Sequence, residues 1–161
     1  MNGREGSFEC VAPSRSNHGP LRIVNTFYLE HADGAPFYSV GTTVYQWTSV
    51  KQSIQEQTLA TLAGSLFNKV CMCVFPKSYR YGNNTEPWQY AFASSVDITK
   101  PNYDFFQNFD LRVRQLLELG IQADVILFHP YDRWGYLTMG HENNARYVRY
   151  MIARISAYRN V

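Results

Sequence analysis

The stretch IQADVILFHPYDRWGY, from Ile121 to Tyr136, decides the fold that this sequence predicts. Its apolar run, Val125 to Phe128, is typical of a buried β-strand. The run ends at His129, and a proline, a tyrosine, an aspartate, an arginine and a tryptophan follow directly. An abrupt change from apolar residues to groups that can hold a polar ligand indicates a strand that ends in a binding site.

Two other strands can be read from the sequence, and each leads into a similar group of side chains. The run KVCMCVF, Lys69 to Phe75, is rich in apolar residues and ends at Pro76. The polar and aromatic segment from there to Pro101 is predicted to be a long loop with turns at Gly82, Asn83, Asn84 and Pro87. An earlier strand runs from Phe37 to Val44. We expect it to pair with the residues before Asp33-Gly34, because this dipeptide favours a tight turn in which glycine tolerates the positive φ. The sequence therefore predicts a short β-hairpin that leads into strands with polar and aromatic ends.

A predicted helix follows each of these strands. The first begins at a capping box formed by Ser53 and Glu56, and its apolar residues recur at near-helical spacing: Ile54, Leu59, Leu62 and Leu66. The second covers roughly residues 103–119 and ends before Gly120, and its apolar stripe is Phe105, Phe109, Val113 and Leu116. The third covers roughly residues 142–158. Apolar strands that alternate with helices are typical of an α/β protein whose parallel sheet is covered on its faces.

The bulk composition excludes several classes of protein. With 161 residues, a net charge of +2 and no basic run, the chain has the size of one domain and lacks the charge pattern of a nucleic-acid-binding protein. No apolar stretch approaches the roughly 18 residues of a membrane span. The cysteine and histidine spacings match no metal motif, so we expect neither a metal nor a cofactor. Cys71 and Cys73 lie two apart, where a mutual disulfide has poor geometry, and a reducing, cytoplasmic location is expected.

Candidate binding residues lie at the carboxyl ends of the three strands, where ligands bind in α/β folds. The first end supplies Tyr45 and Trp47, the second Lys77 with Tyr79, Arg80 and Tyr81, and the third His129, Asp132, Arg133 and Trp134. Aromatic faces pack on the C–H faces of sugar rings, and the polar groups can fix hydroxyls by directed hydrogen bonds. Structural roles remain open for the same residues: tryptophans that cap the core, a local ion pair within a turn, and a histidine that only supports a strand end.

Four segments of the chain resemble the barrel domain of the apiosidase-like bacterial glycoside hydrolases. They are PFYSVGTTVYQWT (36–48), FNKVCMCVFPKSYRYGNN (67–84), LGIQADVILFHPYDRWGY (119–136) and AYRNV (157–161). The resemblance implies that residues 25–161 form the first three βα units of a TIM-type (β/α)8 barrel, which is incomplete in this chain. Residues 1–24 are then an extended lead-in, or a linker from an upstream β-domain, ahead of the short hairpin.

The resemblance also implies an activity and the place of its catalytic groups. Members of this family hydrolyse O-glycosidic bonds in oligo- or polysaccharides with a pair of carboxylates, and by the resemblance that pair lies beyond Val161. Glu142 at a helix start and Glu86, which has no evident partner in the sequence, are poor substitutes. We therefore expect part of a longer glycoside hydrolase, inactive by itself, whose open sheet edge permits self-association. The alternative is a non-catalytic carbohydrate-binding or interaction module.

Overall fold

The computed structural model describes residues 5–78, 86–94 and 97–161. These residues form two compact units that divide between Tyr38 and Ser39. In the first unit, β1 (Leu21–Val24), β2 (Tyr28–His31) and β3 (Pro36–Phe37) form an antiparallel sheet in that order.

The predicted hairpin is confirmed, and its turn has the expected chemistry. The side chain of Asp33 accepts a hydrogen bond from the backbone N–H of Ala35 at 3.0 Å, and Gly34 has a φ of +90°. The strand predicted over Phe37 to Val44 is broken, however, because Pro36–Phe37 pairs with β2 whereas the residues from Gly41 pair with a different sheet. Strand β1 was not predicted, and it lies in the segment that we expected to be a lead-in.

The second unit contains the parallel sheet and the helices. In chain order its elements are β4 (Gly41–Thr43), α1 (Gln52–Ala63), β5 (Lys69–Cys73), β6 (Phe92–Ser94), β7 (Asp97–Pro101), α2 (Tyr103–Glu118), β8 (Gln122–Ile126) and α3 (His141–Ile155). The sheet has the order β4-β5-β8, and Lys69 pairs with Gly41 on one side and with Gln122 on the other. The predicted alternation of parallel strands and helices is confirmed.

The core lies between the helices and one face of this sheet. Val70 and Met72 of β5 are fully buried on that face. The predicted stripe of α2 is confirmed, since all four of its members are buried: Phe105, Phe109, Val113 and Leu116. Helix α2 is capped at both ends. The side chain of Asn102 accepts a hydrogen bond from the backbone N–H of Phe105 at 3.3 Å, and Gly120 adopts a φ of +73° after the last turn of the helix.

The opposite face of the sheet carries polar groups that the apolar reading of the strands did not predict. Lys69 and Asp124 form an ion pair of 3.0 Å between β5 and β8, and the Cys71 thiol donates to the same carboxylate at 3.1 Å. Side chains alternate between the two faces of a strand. Only alternate positions of these strands therefore contribute to the core beneath the helices.

Helix α1 differs from its prediction at both ends. Its N-cap is Lys51, which makes no side-chain capping bond within the described residues, so the predicted capping box of Ser53 and Glu56 is wrong. Leu66 lies beyond the last turn and is 94% exposed. The buried residues of α1 are Leu62 and, unexpectedly, Gln55, whose amide is held by groups of α2.

The segment between Pro76 and Pro101, predicted to be a long loop, contains the antiparallel pair β6 and β7. The turns predicted at Gly82, Asn83 and Asn84 lie outside the described residues. None of the helices in the described part of the chain is long and apolar enough to cross a membrane.

Asn160 fastens the residues after α3 to the start of β8. Its side-chain Nδ2 donates to the backbone oxygens of Val113 and Ile121, both at 3.1 Å, and its own backbone oxygen accepts from the N–H of Ala123 at 2.6 Å. The side chain is buried. One residue thus joins the end of the chain to α2 and to the sheet.

Candidate functional site

The loop after β8 is shaped by Asp132. One of its carboxylate oxygens accepts from the backbone N–H of Trp134 at 2.8 Å, and the other accepts from that of Leu137 at 2.7 Å. An aspartate that bonds the backbone two residues ahead is a common device for holding a turn. Because both oxygens are engaged in this way, Asp132 acts in holding the loop that carries Arg133 and Trp134.

His129 has one ring nitrogen fixed and the other buried. Its Nε2 lies 3.2 Å from the backbone oxygen of Phe75, and since a carbonyl can only accept, Nε2 carries the hydrogen of the bond. In the neutral imidazole Nδ1 is then an acceptor. Nδ1 is buried and has no hydrogen-bond partner among the described residues. The arrangement leaves one acceptor of His129 available at the junction of two strand ends.

Lys77 joins the three strand ends. Its Nζ lies 3.9 Å from the ring centroid of Tyr45, after β4, and 4.3 Å from that of Tyr131, after β8. These distances are within the range of cation–π contacts. The ring of Tyr131 in turn stacks on His129 with 6.5 Å between centroids, and the Gln46 amide donates to the backbone oxygen of Lys77. The predicted convergence of these side chains is therefore observed for Tyr45, Lys77 and His129.

Glu86 has several hydrogen-bond partners, none of which is a second carboxylate among the described residues. Its Oε1 accepts from Arg133 at 2.6 Å, and its Oε2 accepts from the indole N–H of Trp134 at 2.9 Å and from the hydroxyl of Tyr90. The guanidinium carbon of Arg133 also lies 4.9 Å from the Trp134 ring centroid. Hydrogen bonds from Tyr90 and Trp134, and then the charge of Arg133, hold the pKa of Glu86 below its ordinary value. This carboxylate joins the segment before β6 to the loop after β8.

Trp47 does not lie with the other candidates. It is only 3% exposed, and its indole N–H donates to the backbone oxygen of Gln55 at 2.9 Å. Its ring belongs to the hydrophobic core, which is the structural alternative that the sequence left open. Tyr79, Arg80 and Tyr81, predicted at the second strand end, lie outside the described residues. Within the described ranges, no three histidine, cysteine or acidic side chains are arranged to hold a metal ion.

The contacts of Glu86 predict that its hydrogen bonds with Tyr90, Arg133 and Trp134 weaken at low pH. A carboxylate whose pKa is lowered on folding is favoured in its ionised form, so the contribution of Glu86 to stability is present above its unfolded value, 4.5, and is lost as the pH falls through the lower folded value. We expect the indole Nε1–H resonance of Trp134 to titrate by NMR with a midpoint below 4.5. In a Glu86→Gln variant this titration should disappear, and a midpoint at or above the ordinary value in the wild type would contradict the assignment.

Comparison with protein families identifies relatives of this chain. Residues 24–161 match the family model described as "Apiosidase-like, catalytic domain". A crystal structure from Bacteroides vulgatus ATCC 8482, assigned as a glycoside hydrolase, is 41% identical over the whole chain and superposes with a TM-score of 0.90. The resemblance stated from the sequence is thereby confirmed. No sequence among curated proteins matches significantly.

Two more distant structures show the fold. One is named a glycoside hydrolase (17% identity, TM-score 0.67), and the other is a glycoside hydrolase family 5 protein from the same Bacteroides strain (18% identity, TM-score 0.68); each is matched over 89% of this chain. The chain spans 34%, 33% and 32% of the three structures, about a third of each. The predicted fold class is confirmed, because the sheet and its helices form three βα units of the (β/α)8 barrel of these proteins.

Proposed function

The chain belongs to the family of apiosidase-like catalytic domains, and on that premise we propose that it supplies the sugar-binding residues of a glycoside hydrolase. The reaction is the hydrolysis of O-glycosidic bonds in oligo- or polysaccharides. The observation that carries this proposal is the position of Lys77 between Tyr45 and Tyr131, because it gathers all three strand ends into one site. Active sites of (β/α)8 barrels are built at this end of the strands.

The chemistry of the strand ends suits a sugar ring. Trp134 and Tyr45 offer aromatic surface to the C–H face of a ring, and Lys77 and Arg133 carry hydrogen-bond donors. The buried Nδ1 of His129 is an acceptor without a partner among the described residues. Donors and acceptors placed around aromatic rings match the mixed surface of a sugar, which has apolar faces and a rim of hydroxyls. In this proposal these five residues contact the substrate.

Two of the predicted site residues take supporting roles in the proposal. Asp132 uses both carboxylate oxygens to hold the loop on which Arg133 and Trp134 lie. Trp47 packs in the core and acts only by fixing the turn that follows Tyr45. Removing either side chain should therefore weaken sugar binding through a displaced loop rather than through a lost contact.

We further propose that this chain alone does not turn over glycosides. Glycosidases of both stereochemical classes need two carboxyl groups about 5–9 Å apart, one of them free to exchange a proton with the substrate. Near the described strand ends the carboxylates are Asp132 and Glu86, and both accept hydrogen bonds from residues of the loop after β8. An aryl glycoside mixed with the pure chain is expected to release phenol at the uncatalysed rate, and a faster release that scales with protein concentration would contradict this proposal.

Binding of a sugar by the 161-residue chain tests the proposed site. We expect isothermal titration calorimetry with xylotetraose or cellotetraose to detect binding, and Trp134→Ala to weaken it by about tenfold or more, because an aromatic platform and its contact with Arg133 are lost. Leu66→Ala is the matched control, since Leu66 is exposed and lies outside the site. Equal affinity of the Trp134→Ala and Leu66→Ala variants for the sugars would refute the site. If the chain binds neither sugar, the result favours an interaction module instead.

The cysteines support a cytoplasmic location as part of the same proposal. Cys71 and Cys73 carry free thiols two positions apart on β5, and the Cys71 thiol donates to Asp124. Burial raises the pKa of Cys73 to about 11. A thiol that stays protonated is a poor nucleophile, so Cys73 is suited to a packing role in a reducing compartment.

A further inference from the structure

A cleft of about 350 Å³ lies beside Glu86, which is one of the residues that line it. One wall is the turn that follows Trp47 and the start of α1, and the other wall is the segment Glu86–Trp88. Residues that line it include Gln46, Ser49, Val50, Lys51, Ile54 and Trp88. The backbone N–H of Trp88 donates to the backbone oxygen of Ser49 at 2.7 Å, so the two walls are joined. The volume is in the range of small-molecule sites.

Ser49 lines this cleft and carries an unsatisfied polar group. The residue is only 1% exposed, and its hydroxyl has no hydrogen-bond partner in the part of the chain that the structure describes. Buried hydroxyls are nearly always hydrogen-bonded, and one that is not destabilises the fold. A ligand hydroxyl in the cleft would provide the missing partner.

Trp88 provides an aromatic surface on the facing wall. The residue is 61% exposed although its backbone N–H is fixed by the bond to Ser49. A single exposed tryptophan needs no explanation by itself. Here, however, the indole lines a cleft whose opposite wall carries the unsatisfied hydroxyl, and a ring that stacks on the indole would bring its own hydroxyls to that wall.

Glu86 connects the cleft with the strand ends. Its Oε2 accepts two hydrogen bonds, from Trp134 and Tyr90, whereas its Oε1 accepts one from Arg133. A carboxylate oxygen can accept two hydrogen bonds, so Oε1 retains capacity for a further donor such as a sugar hydroxyl. Because Glu86 also lines the cleft, one carboxylate borders both spaces.

We propose that this cleft is a second sugar subsite, contiguous with the strand-end site. A neutral sugar ring stacks on Trp88, and its hydroxyls bond Ser49 Oγ and Glu86 Oε1. The ring is neutral because the carboxylate of a uronic acid would meet the ionised Glu86. The inference rests on the proposed function, since it assigns the second ring of an oligosaccharide whose first ring lies against Trp134.

Three variants of the 161-residue chain test the subsite with xylotetraose and cellotetraose as probes. Trp88→Ala should weaken binding by about tenfold, and Ser49→Ala by about two- to tenfold, the effect of one hydrogen bond. Trp88→Phe should retain most of the affinity, because it keeps an aromatic platform. Removing an unsatisfied hydroxyl costs the fold nothing, so the urea midpoint of Ser49→Ala should equal or exceed that of the wild type.

The pattern of losses separates the subsite from the proposed function. If Trp134→Ala weakens binding and neither Trp88→Ala nor Ser49→Ala does, the strand-end site stands and the subsite is wrong. If both Trp88→Ala and Ser49→Ala weaken binding and Trp134→Ala does not, the subsite stands and the strand-end site is wrong. A lowered urea midpoint for Ser49→Ala would show a structural role for the hydroxyl and would overturn its assignment to a ligand.

Discussion

Replacing Tyr147 with alanine is expected to lower the free energy of unfolding by about 4 kcal/mol. The side chain is fully buried, and its ring lies 4.5 Å from that of Phe75, 5.2 Å from that of Phe128 and 6.0 Å from that of Phe92, measured between centroids. Alanine would leave a cavity among three aromatic rings that cannot collapse together, since each lies on a different segment of the chain: after β5, after β8 and in β6. Urea denaturation followed by circular dichroism measures the loss.

Two further variants make this expectation specific. Tyr147→Phe removes only the hydroxyl that donates to the backbone oxygen of Leu127 at 3.1 Å, and it should cost about 1 kcal/mol. Tyr103→Ala removes an exposed tyrosine from another helix and should change stability by roughly 0.5 kcal/mol or less. Equal losses for Tyr147→Ala and Tyr103→Ala would show that the aromatic cluster does not determine stability. A rise of the m-value would instead indicate that the denatured state has changed.

Replacing Gln55 of helix α1 with leucine is expected to lower the free energy of unfolding by about 3 kcal/mol, even though the change makes a buried residue more apolar. Gln55 is 2% exposed, and its Oε1 accepts from Asn108 and from Arg112, both at 2.9 Å. Arg112 is itself buried, and burial lowers the pKa of its guanidinium. Leucine would therefore leave a buried cation and a half-buried amide without the acceptor that holds them between α1 and α2. The same denaturation experiment measures the effect.

A double-mutant cycle with Arg112→Met distinguishes the lost acceptor from lost packing. Methionine removes the charge and keeps a long apolar side chain, so Gln55→Leu should cost much less in that background. We expect a coupling free energy of about 1–3 kcal/mol between the two positions. Additive losses would mean that Gln55 stabilises the protein by its volume, and that the hydrogen bond to Arg112 contributes little.

Much of the fold could be predicted because its core follows simple periodic patterns. The apolar stripe of α2, Phe105, Phe109, Val113 and Leu116, recurs at helical spacing and is buried, and Asn102 and Gly120 mark the two ends of that helix by their local chemistry. Strands β5 and β8 are short apolar runs between helices, which is the pattern of a parallel sheet. In each case the information lies within a few residues of the position that it determines.

The errors arise where a residue is determined by a partner far away in the sequence. Gln55 looks like a solvent-facing residue of α1, and only the approach of Asn108 and Arg112, 53 and 57 positions later, makes it part of the core. The pair β6 and β7 was missed for a related reason, since its strands are short and are separated by polar residues without alternating hydrophobicity. Turn and capping patterns involve only residues that are close in sequence, so they cannot predict contacts between residues that lie far apart in the chain.

In the candidate site, the positions of side chains could be predicted from the sequence, whereas their roles could not. The convergence of Tyr45, Lys77 and His129 could be predicted, because parallel strands bring their carboxyl ends to one edge. The roles within the site could not: Asp132 holds its own loop, and Glu86 reaches Arg133 and Trp134 across 47 and 48 positions. A role is set by the direction in which a side chain points, which the sequence of a strand end does not contain.

The anchoring of Asn160 has a mechanical consequence. A pulling force applied at Val161 reaches α3 only after it has broken the two side-chain hydrogen bonds of Asn160 and the backbone bond to Ala123. These three bonds end on α2, on the residue before β8 and on β8 itself, so they share the load instead of opening one after another. Tension from this end is therefore transmitted to the sheet as a unit, and α3 is protected from being peeled away.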